Sequence, residues 1–263
     1  MISSFVITNE LGEKLELIGS NFCYIIGCDG LNPPTATISQ SNVIGSDFSI
    51  LGNARVYSRN IILKLKIRKP IESNRRQLYK FFTPKKHITI AIQASQSYEI
   101  DGVVESFEND HFTNSQRPQI SIICPQPFFQ EGSPSIVRTT VVSRKFDVTN
   151  QGTVPTGMLI EFYTKNGTVF PLTIENVTTN QKFIITDKDY TEGTYLINSI
   201  RTERTLKVAV AAGNGAIKNM IKAVDLSSEW LQLAVGKNEF KISGEGLTDE
   251  KIVIKYYRTY GGI

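Results

Sequence analysis

The chain has 263 residues, 40% hydrophobic and 21% charged, which is enough apolar material for one large or two modest cores and argues against intrinsic disorder. Mean hydropathy is −0.13, and no apolar run approaches the ~18 residues of a membrane helix, so no membrane insertion is expected. The net charge of +4 is by itself too small to argue for a nucleic-acid or anionic-membrane partner.

Met1-Ile2-Ser3-Ser4-Phe5 lacks a basic head ahead of an apolar stretch, so Sec-type export is not expected. Cys23, Cys28 and Cys124 make an odd number in a long chain, which leaves at least one thiol free and fits synthesis in a reducing compartment. Leu63, Leu65 and Ile67 alternate with Lys64, Lys66 and Arg68, the pattern of a strand with one face on a core and the other in water. Residues 72–82 read as one short helix, with Leu78, Phe81 and Phe82 at helical spacing, Ser73 as a capping residue and Pro84 just beyond the end. Ile88, Ile90 and Ile92, and then Ile120, Ile122 and Cys124, return to strand alternation.

Residues 124–134 hold Pro125, Pro127 and Pro134 with Gly132, and read as a stiff connector between a domain at 1–130 and one at 131–263. Beyond it, short strand-like runs separated by turn signals predict a β-sandwich. Asn166-Gly167 predicts a tight hairpin between runs 158–165 and 168–172. Ile217, Met220, Ile221 and Val224 suit either a second helix over 215–225 or a loop crossing the sandwich. The fold class read from the pattern is mainly β.

The usual parts of an active site are scarce. His87 and His111 stand in unlike contexts without a partner motif, and no nucleophile elbow, zinc-protease helix or phosphate loop occurs. Cys23 and Cys28 lack the second ligand pair that structural zinc wants, so all three cysteines read as small buried hydrophobes. Residues 208–215 imitate a nucleotide loop, but Lys218 stands in the place of the third glycine. Asp187-Lys188-Asp189 imitates a calcium loop, but Glu192 takes the turn-glycine position. No catalytic residue, metal or cofactor is predicted.

Charge is distributed unevenly. Between Arg55 and Lys86 eleven basic residues face only Glu72, while the rest of the chain before residue 131 holds two basic and ten acidic residues. Adjoining patches of opposite sign suit head-to-tail self-association, and they also suit plain solvated faces. Arg59, Lys64, Lys66, Arg68, Arg75 and Arg76 are the candidates for such an association surface. The second half is rich in aromatics, Phe162, Tyr163, Phe170, Phe183, Tyr190, Tyr195, Trp230 and Phe240, and alternation assigns most of them to a core.

Several phrases resemble the distal tail protein (Dit) family of long-tailed siphophages. In the first half these are Gly30-Leu31-Asn32-Pro33-Pro34, the glycines Gly45 and Gly52 ahead of Arg59, Arg75-Arg76-Gln77-Leu78 leading to Phe82-Thr83-Pro84, Gly102-Val103-Val104-Glu105, and Cys124-Pro125-Gln126-Pro127-Phe128-Phe129. In the second they are Gly193-Thr194-Tyr195-Leu196-Ile197-Asn198, Ser228-Glu229-Trp230-Leu231-Gln232-Leu233, Gly236-Lys237-Asn238 and the tail Tyr256 to Ile263. Asn198 departs from the acidic residue the family phrase carries.

The resemblance implies an N-terminal tail-tube-like β domain with one helix and a protruding loop that clasps a neighbour, six copies closing a ring. It implies a C-terminal galectin-like or carbohydrate-module-like β-sandwich hung outside that ring. The implied role is a virion structural protein, not an enzyme, at the tail tip or baseplate hub, assembled in the bacterial host cytoplasm. Its implied partners are further copies of itself, the tail tube protein, the tail-associated tip protein and receptor-binding proteins, with DNA passing only in transit. A host cell-wall carbohydrate-binding module presented at the tail tip is the alternative.

Overall fold

The computed structural model describes residues 1–42, 44–45, 47–165, 167–186, 192–210 and 216–263. The chain forms two compact units: Met1–Gly132 together with Tyr260–Ile263, and Ser133–Thr259.

The first unit runs β1 (Ser4–Asn9), β2 (Lys14–Glu16), β3 (Cys23–Asp29), β4 (Ala36–Asn42), β5 (Ser49–Val56), β6 (Arg59–Ile67), α1 (Ile71–Phe82), β7 (His87–Gln93), β8 (Ser97–Glu108), β9 (Gln119–Cys124) and β10 (Phe129–Glu131). Its main sheet has the order β2-β1-β7-β8-β9-β6-β3, with antiparallel pairing throughout. The register aligns inward residues across the sheet. Ile7 lies beside Leu15 and Ile90, Ile90 beside Ile100, and Leu63 beside Ile120 and Cys28. Because the side-chain period is two, this register puts every apolar set on one face, and α1 contributes Leu78, Phe81 and Phe82 to the same core.

The helix starts earlier than expected. Pro70 precedes it without a side-chain cap, so Ser73 is an exposed residue inside the first turn. Asn74 is the buried polar residue there, its amide donating to the Arg68 carbonyl at 3.0 Å. At the other end the Thr83 hydroxyl donates to the Tyr79 carbonyl at 2.6 Å. The proline-rich stretch also differs from a bare connector. Phe129 is buried in the first core and β10 pairs with β8, because an aromatic flanked by prolines still gains more from burial than from spanning water.

The second unit runs β11 (Ser135–Thr140), β12 (Lys145–Asn150), β13 (Leu159–Thr164), β14 (Val169–Asn176), β15 (Gln181–Ile185), β16 (Gly193–Asn198), β17 (Thr205–Val210), β18 (Ile217–Asn219), β19 (Gly236–Glu245) and β20 (Lys251–Tyr256). One sheet has the order β11-β20-β13-β16-β17-β18 and the other β12-β19-β14-β15. Phe162, Tyr195, Ile254 and Val208 from the first share a core with Phe240, Ile174, Phe183 and Leu172 from the second. This is a sandwich whose alternating strands each give one face to the interior.

One expectation fails here, and of two open alternatives the helical one drops out. No hairpin joins the runs flanking Asn166-Gly167, a pair whose first residue lies outside the described residues. β13 pairs with β16 and β20, while β14 pairs with β15 and β19, so the two strands belong to different sheets. Tight-turn chemistry reverses the chain but does not choose its ladder partner, and crossing between sheets serves both buried faces equally well. The helix over 215–225 is absent too: 211–215 lie outside the described residues, 217–219 form β18, and Ile221–Ala223 make a single 3-10 turn. Ile217 and Ile221 are exposed while Met220 and Val224 pack at the edge of the core, so the four do not form one buried stripe. Asp187-Lys188-Asp189 also lie outside the described residues. Among the described residues no helix is long and apolar enough to cross a membrane.

Candidate assembly surfaces

The basic residues singled out from sequence separate into three environments. Arg59 is 3% exposed and belongs to no surface. Its Nε donates to the Pro127 carbonyl at 2.6 Å, and its Nη1 donates to the carbonyls of Gly30 at 2.5 Å and Asn32 at 2.8 Å. Its Nη2 donates to the Gly261 carbonyl, and the guanidinium lies over the Phe129 ring at 4.5 Å from the centroid. A planar fork of donors suits this convergence of carbonyls, which an ammonium could not satisfy together. Burial lowers the Arg59 pKa, and the neighbouring Cys124 partly offsets this. Arg59 shares the odd parity of Ile61, Leu63 and Leu65, and this parity is the signal that distinguishes it from the even-numbered cations downstream.

Gly30 is fixed by the same node. Its φ is +88°, and a Cβ there would lie 2.2 Å from the Asn60 carbonyl oxygen. The phrases Gly30-Leu31-Asn32, Pro127-Phe128-Phe129 and Gly261-Gly262-Ile263, far apart in sequence, therefore meet around one guanidinium. The Ile263 amide adds a bond to the Leu31 carbonyl at 3.1 Å. Pro33 and Pro34 line a shallow cleft of about 280 Å³ beside it. Cys124 is fully buried, and burial pushes its pKa up to about 12. Pro125 is exposed, whereas Pro127 and Phe128 are half-buried.

Lys64, Lys66 and Arg68 do form the expected outward face. Lys64 pairs with Asp29 at 2.7 Å. Lys66 and Arg68 both stand over the Tyr24 ring of β3, at 5.7 and 5.1 Å from its centroid. Together with Lys69 they line an open cleft of about 590 Å³. Arg75 and Arg76 lie apart on α1: Arg75 donates to the Gln116 side chain at 3.1 Å, and Arg76 pairs with Glu72 one helical turn away.

The most exposed element is one that the strand pattern did not single out. Among the described residues β4 and β5 pair only with each other, and every residue of the two strands is exposed except the half-buried Val56. Ile38, Phe48, Ile50 and Leu51 stand in water along it or at its tip. An isolated two-stranded ribbon is marginally stable, and apolar side chains clustered on one mark a surface that is covered in use. The legs of the ribbon, 30–35 and 57–59, root in the Arg59 node.

Residues 151–260 match the family model described as siphovirus-type tail component, C-terminal domain. Over those residues the chain is similar to the siphovirus distal tail protein (Dit) family. Its fold is similar over its whole length to the crystal structure of the SPP1 Dit (gp 19.1) protein, described as a paradigm of the hub adsorption apparatus in Gram-positive-infecting phages. That match has a TM-score of 0.71 at 12% identity and covers 96% of this chain and 98% of the other. Chains of the phage p2 baseplate in its activated conformation match more distantly. With Ca the TM-score is 0.50 at 10% identity, covering 97% of this chain and 98% of that one. With Sr it is 0.50 at 9%, covering 96% and 97%. No curated protein matches the chain.

The Dit-like phrases of the second unit have structural roles. Asn238 is fully buried. Its Nδ2 donates to the carbonyls of Ala234 and Gly236 at 2.9 and 3.0 Å, and its Oδ1 accepts from the Ala234 amide at 2.9 Å and the Asn176 Nδ2 at 3.2 Å. Every donor and acceptor of the amide is thus used. Gly236, at φ +88°, turns the chain into β19. Trp230 packs against Phe183 at 5.1 Å, with Arg204 over its other side at 5.8 Å. At Asn198 the Oδ1 accepts from the Ile200 amide at 3.0 Å, a bond that the acidic residue of the family phrase would also accept. Among the aromatics, Phe162, Phe183, Tyr195 and Phe240 are fully buried and Phe170 packs on Tyr195, while Tyr163 is exposed and Tyr190 lies outside the described residues. Among the described residues no cluster of His, Cys, Asp and Glu is arranged to hold a metal.

Proposed function

We propose that this chain is a Dit-family protein and an architectural hub of a siphophage tail tip, with no catalytic role. Copies of the first unit, a tail-tube-like domain over residues 1–130, close into a ring of six that connects the tail tube to the tip proteins which contact the host. The second, over 133–259, is a galectin-like sandwich, the last four residues returning to the first unit. The observation that carries this reading is the β4–β5 ribbon: exposed except at Val56, with Ile38, Ile50 and Leu51 standing in water, and among the described residues paired only with itself. A closed ring requires each copy to offer two different surfaces, and a ribbon that reaches outward supplies one of them. The fold likeness to phage hub and baseplate chains supports the same role.

Replacing residues 36–56 by a short Gly-Ser link tests it. The expected outcome is a folded chain that no longer forms a discrete higher-order species in native mass measurement. Unchanged assembly without the ribbon would refute the proposal.

A further inference from the structure

The end of β6 gathers positive charge that no acid of the first unit balances. Lys66 is half-buried, Arg68 and Lys69 are exposed, and among the described residues no carboxylate pairs with any of the three. With Tyr24 of β3 they line one cleft of about 590 Å³, a size in the range of pockets that hold small ligands, and no acidic residue lines it. Lys64, the next cation along the same face, is paired with Asp29 instead.

The walls of this cleft are held in place by the fold. The Arg68 amide donates to the Phe22 carbonyl at 2.9 Å, and the Arg68 carbonyl accepts from the Asn74 side chain at 3.0 Å. Asn114 and Ser115 line the cleft from the turn before β9. That turn is tied down by Gln116, 4% exposed, whose Oε1 accepts from Arg75 at 3.1 Å and Asn109 at 2.8 Å and whose carbonyl accepts from the Ile67 amide at 3.1 Å. α1 begins at the same place: Ile71 lines the cleft and no side chain caps the first turn, so the positive end of the helix adds to the field of the cations.

The lining also selects among anions. Like charges held in one cleft repel one another until an anion joins them, and the walls focus their field on it. Lys66 and Arg68 both stand over Tyr24, the one aromatic side chain that lines the cleft among the described residues, at 5.7 and 5.1 Å from the ring centroid. That ring is already engaged and gives a nucleic-acid base no open stacking platform. Asn21, Asn114 and Ser115 are neutral donors and acceptors, the groups that bind hydroxyls.

We propose that this cleft binds a polyol-phosphate or sugar-phosphate chain. Lys66, Arg68 and Lys69 hold its phosphate oxygens, and Asn21, Asn114 and Ser115 hold its hydroxyls. The Arg68 guanidinium can take two oxygens of one phosphate in a fork, while the lysines act as point charges. The site is complete within one copy of the first unit, so it goes beyond the architectural reading and does not depend on it.

Titration calorimetry on the full chain tests it, with a short poly(glycerol phosphate) as the probe. Oligothymidylate, polyglutamate and a neutral maltooligosaccharide of matched length are the comparators. The expected result is saturable binding of the glycerol-phosphate chain that weakens as salt rises and is about tenfold tighter than binding of either other polyanion, with none of the neutral sugar. Lys66→Gln/Arg68→Gln/Lys69→Gln should weaken it about thirtyfold, since three charge-assisted contacts are lost. Lys14→Gln/Lys80→Gln/Lys85→Gln, which removes the same charge from exposed positions outside the cleft, should leave it within about twofold. Asn114→Ala/Ser115→Ala should weaken the glycerol-phosphate chain more than inorganic pyrophosphate. Lys69→Gln alone, at an exposed side chain, covers the case of a triple variant that folds poorly and should itself weaken binding about threefold.

No binding of the glycerol-phosphate chain would overturn the proposal, as would binding that the cleft and control variants weaken equally. Oligothymidylate or polyglutamate binding as tightly would overturn it too, by making the cleft a nucleic-acid or general polyanion site. A chain that assembles but fails these tests leaves the architectural reading standing, and one that passes them yet stays solitary overturns that reading and not this one.

Discussion

Replacing Arg59 by Met is the substitution with the largest expected effect on the first unit. The guanidinium donates to the carbonyls of Gly30, Asn32, Pro127 and Gly261, and it covers the Phe129 ring. Methionine fills much of the volume and donates to none of them. Each buried carbonyl left without its donor costs about 1 kcal/mol at the low end, and the lost cation–ring contact adds about 1 kcal/mol. Relief from burying a charge offsets part of this, leaving a net loss of about 4 kcal/mol. For a unit of roughly 140 residues, at about 3 °C per kcal/mol, the melting temperature should fall by about 12 °C. Lysine should rescue little, since an ammonium cannot span acceptors arranged around a plane. Calorimetry reads the shift, and hydrogen exchange locates it: amides at 30–35, 127–131 and 261–263 should lose protection together. A melting temperature within about 2 °C of the parent, or lost protection at only one of the three segments, would refute the view of Arg59 as their common anchor.

Asn238→Asp should destabilise the sandwich by about 3 kcal/mol despite its near-identical shape, because a carboxylate cannot donate to the Ala234 and Gly236 carbonyls; urea denaturation followed by Trp230 fluorescence reads this, and a neutral result would contradict it. Burial, the dominant cause at each, pushes the thiol of Cys23 up to about 11 and those of Cys28 and Cys124 up to about 12. The native chain therefore holds these protons above the usual thiol range while the unfolded chain releases them. On this account stability is intact below about pH 9 and falls as pH rises towards 11 to 12, and thiol-specific reagents at pH 8 react far more slowly with the native than with the denatured chain. Fast native labelling at pH 8 would sink this. Gly30→Ala should perturb the same exchange-protected segments as Arg59→Met, since its Cβ would collide with the Asn60 carbonyl; unchanged protection would show that the turn can relax.

The strands of both cores were readable because a strand half in water alternates, and Leu63 to Arg68 shows that alternation without a break. The ribbon was not readable in the same way. With both faces exposed, β4 and β5 have no buried face to impose a period, so their strand character shows only in the backbone pairing. Arg59 was grouped with its basic neighbours by composition, although its parity assigned it to the core. The Asn166-Gly167 signal does not give the pairing of β13, because a turn signal is local, whereas its ladder partners are residues 193–198 and 251–256, far along the chain. The convergence of three distant phrases on one side chain is likewise a property of the folded chain, visible in sequence only as unexplained likeness to a family.

The central claim is that these strands serve to tile copies of the chain around an axis. Native mass measurement of the purified chain over a wide concentration range, alone and with the proposed tube and tip proteins, tests it most directly. The account predicts one discrete closed species of six chains that loosens as ionic strength rises; a single chain at every concentration and with every neighbour would contradict it.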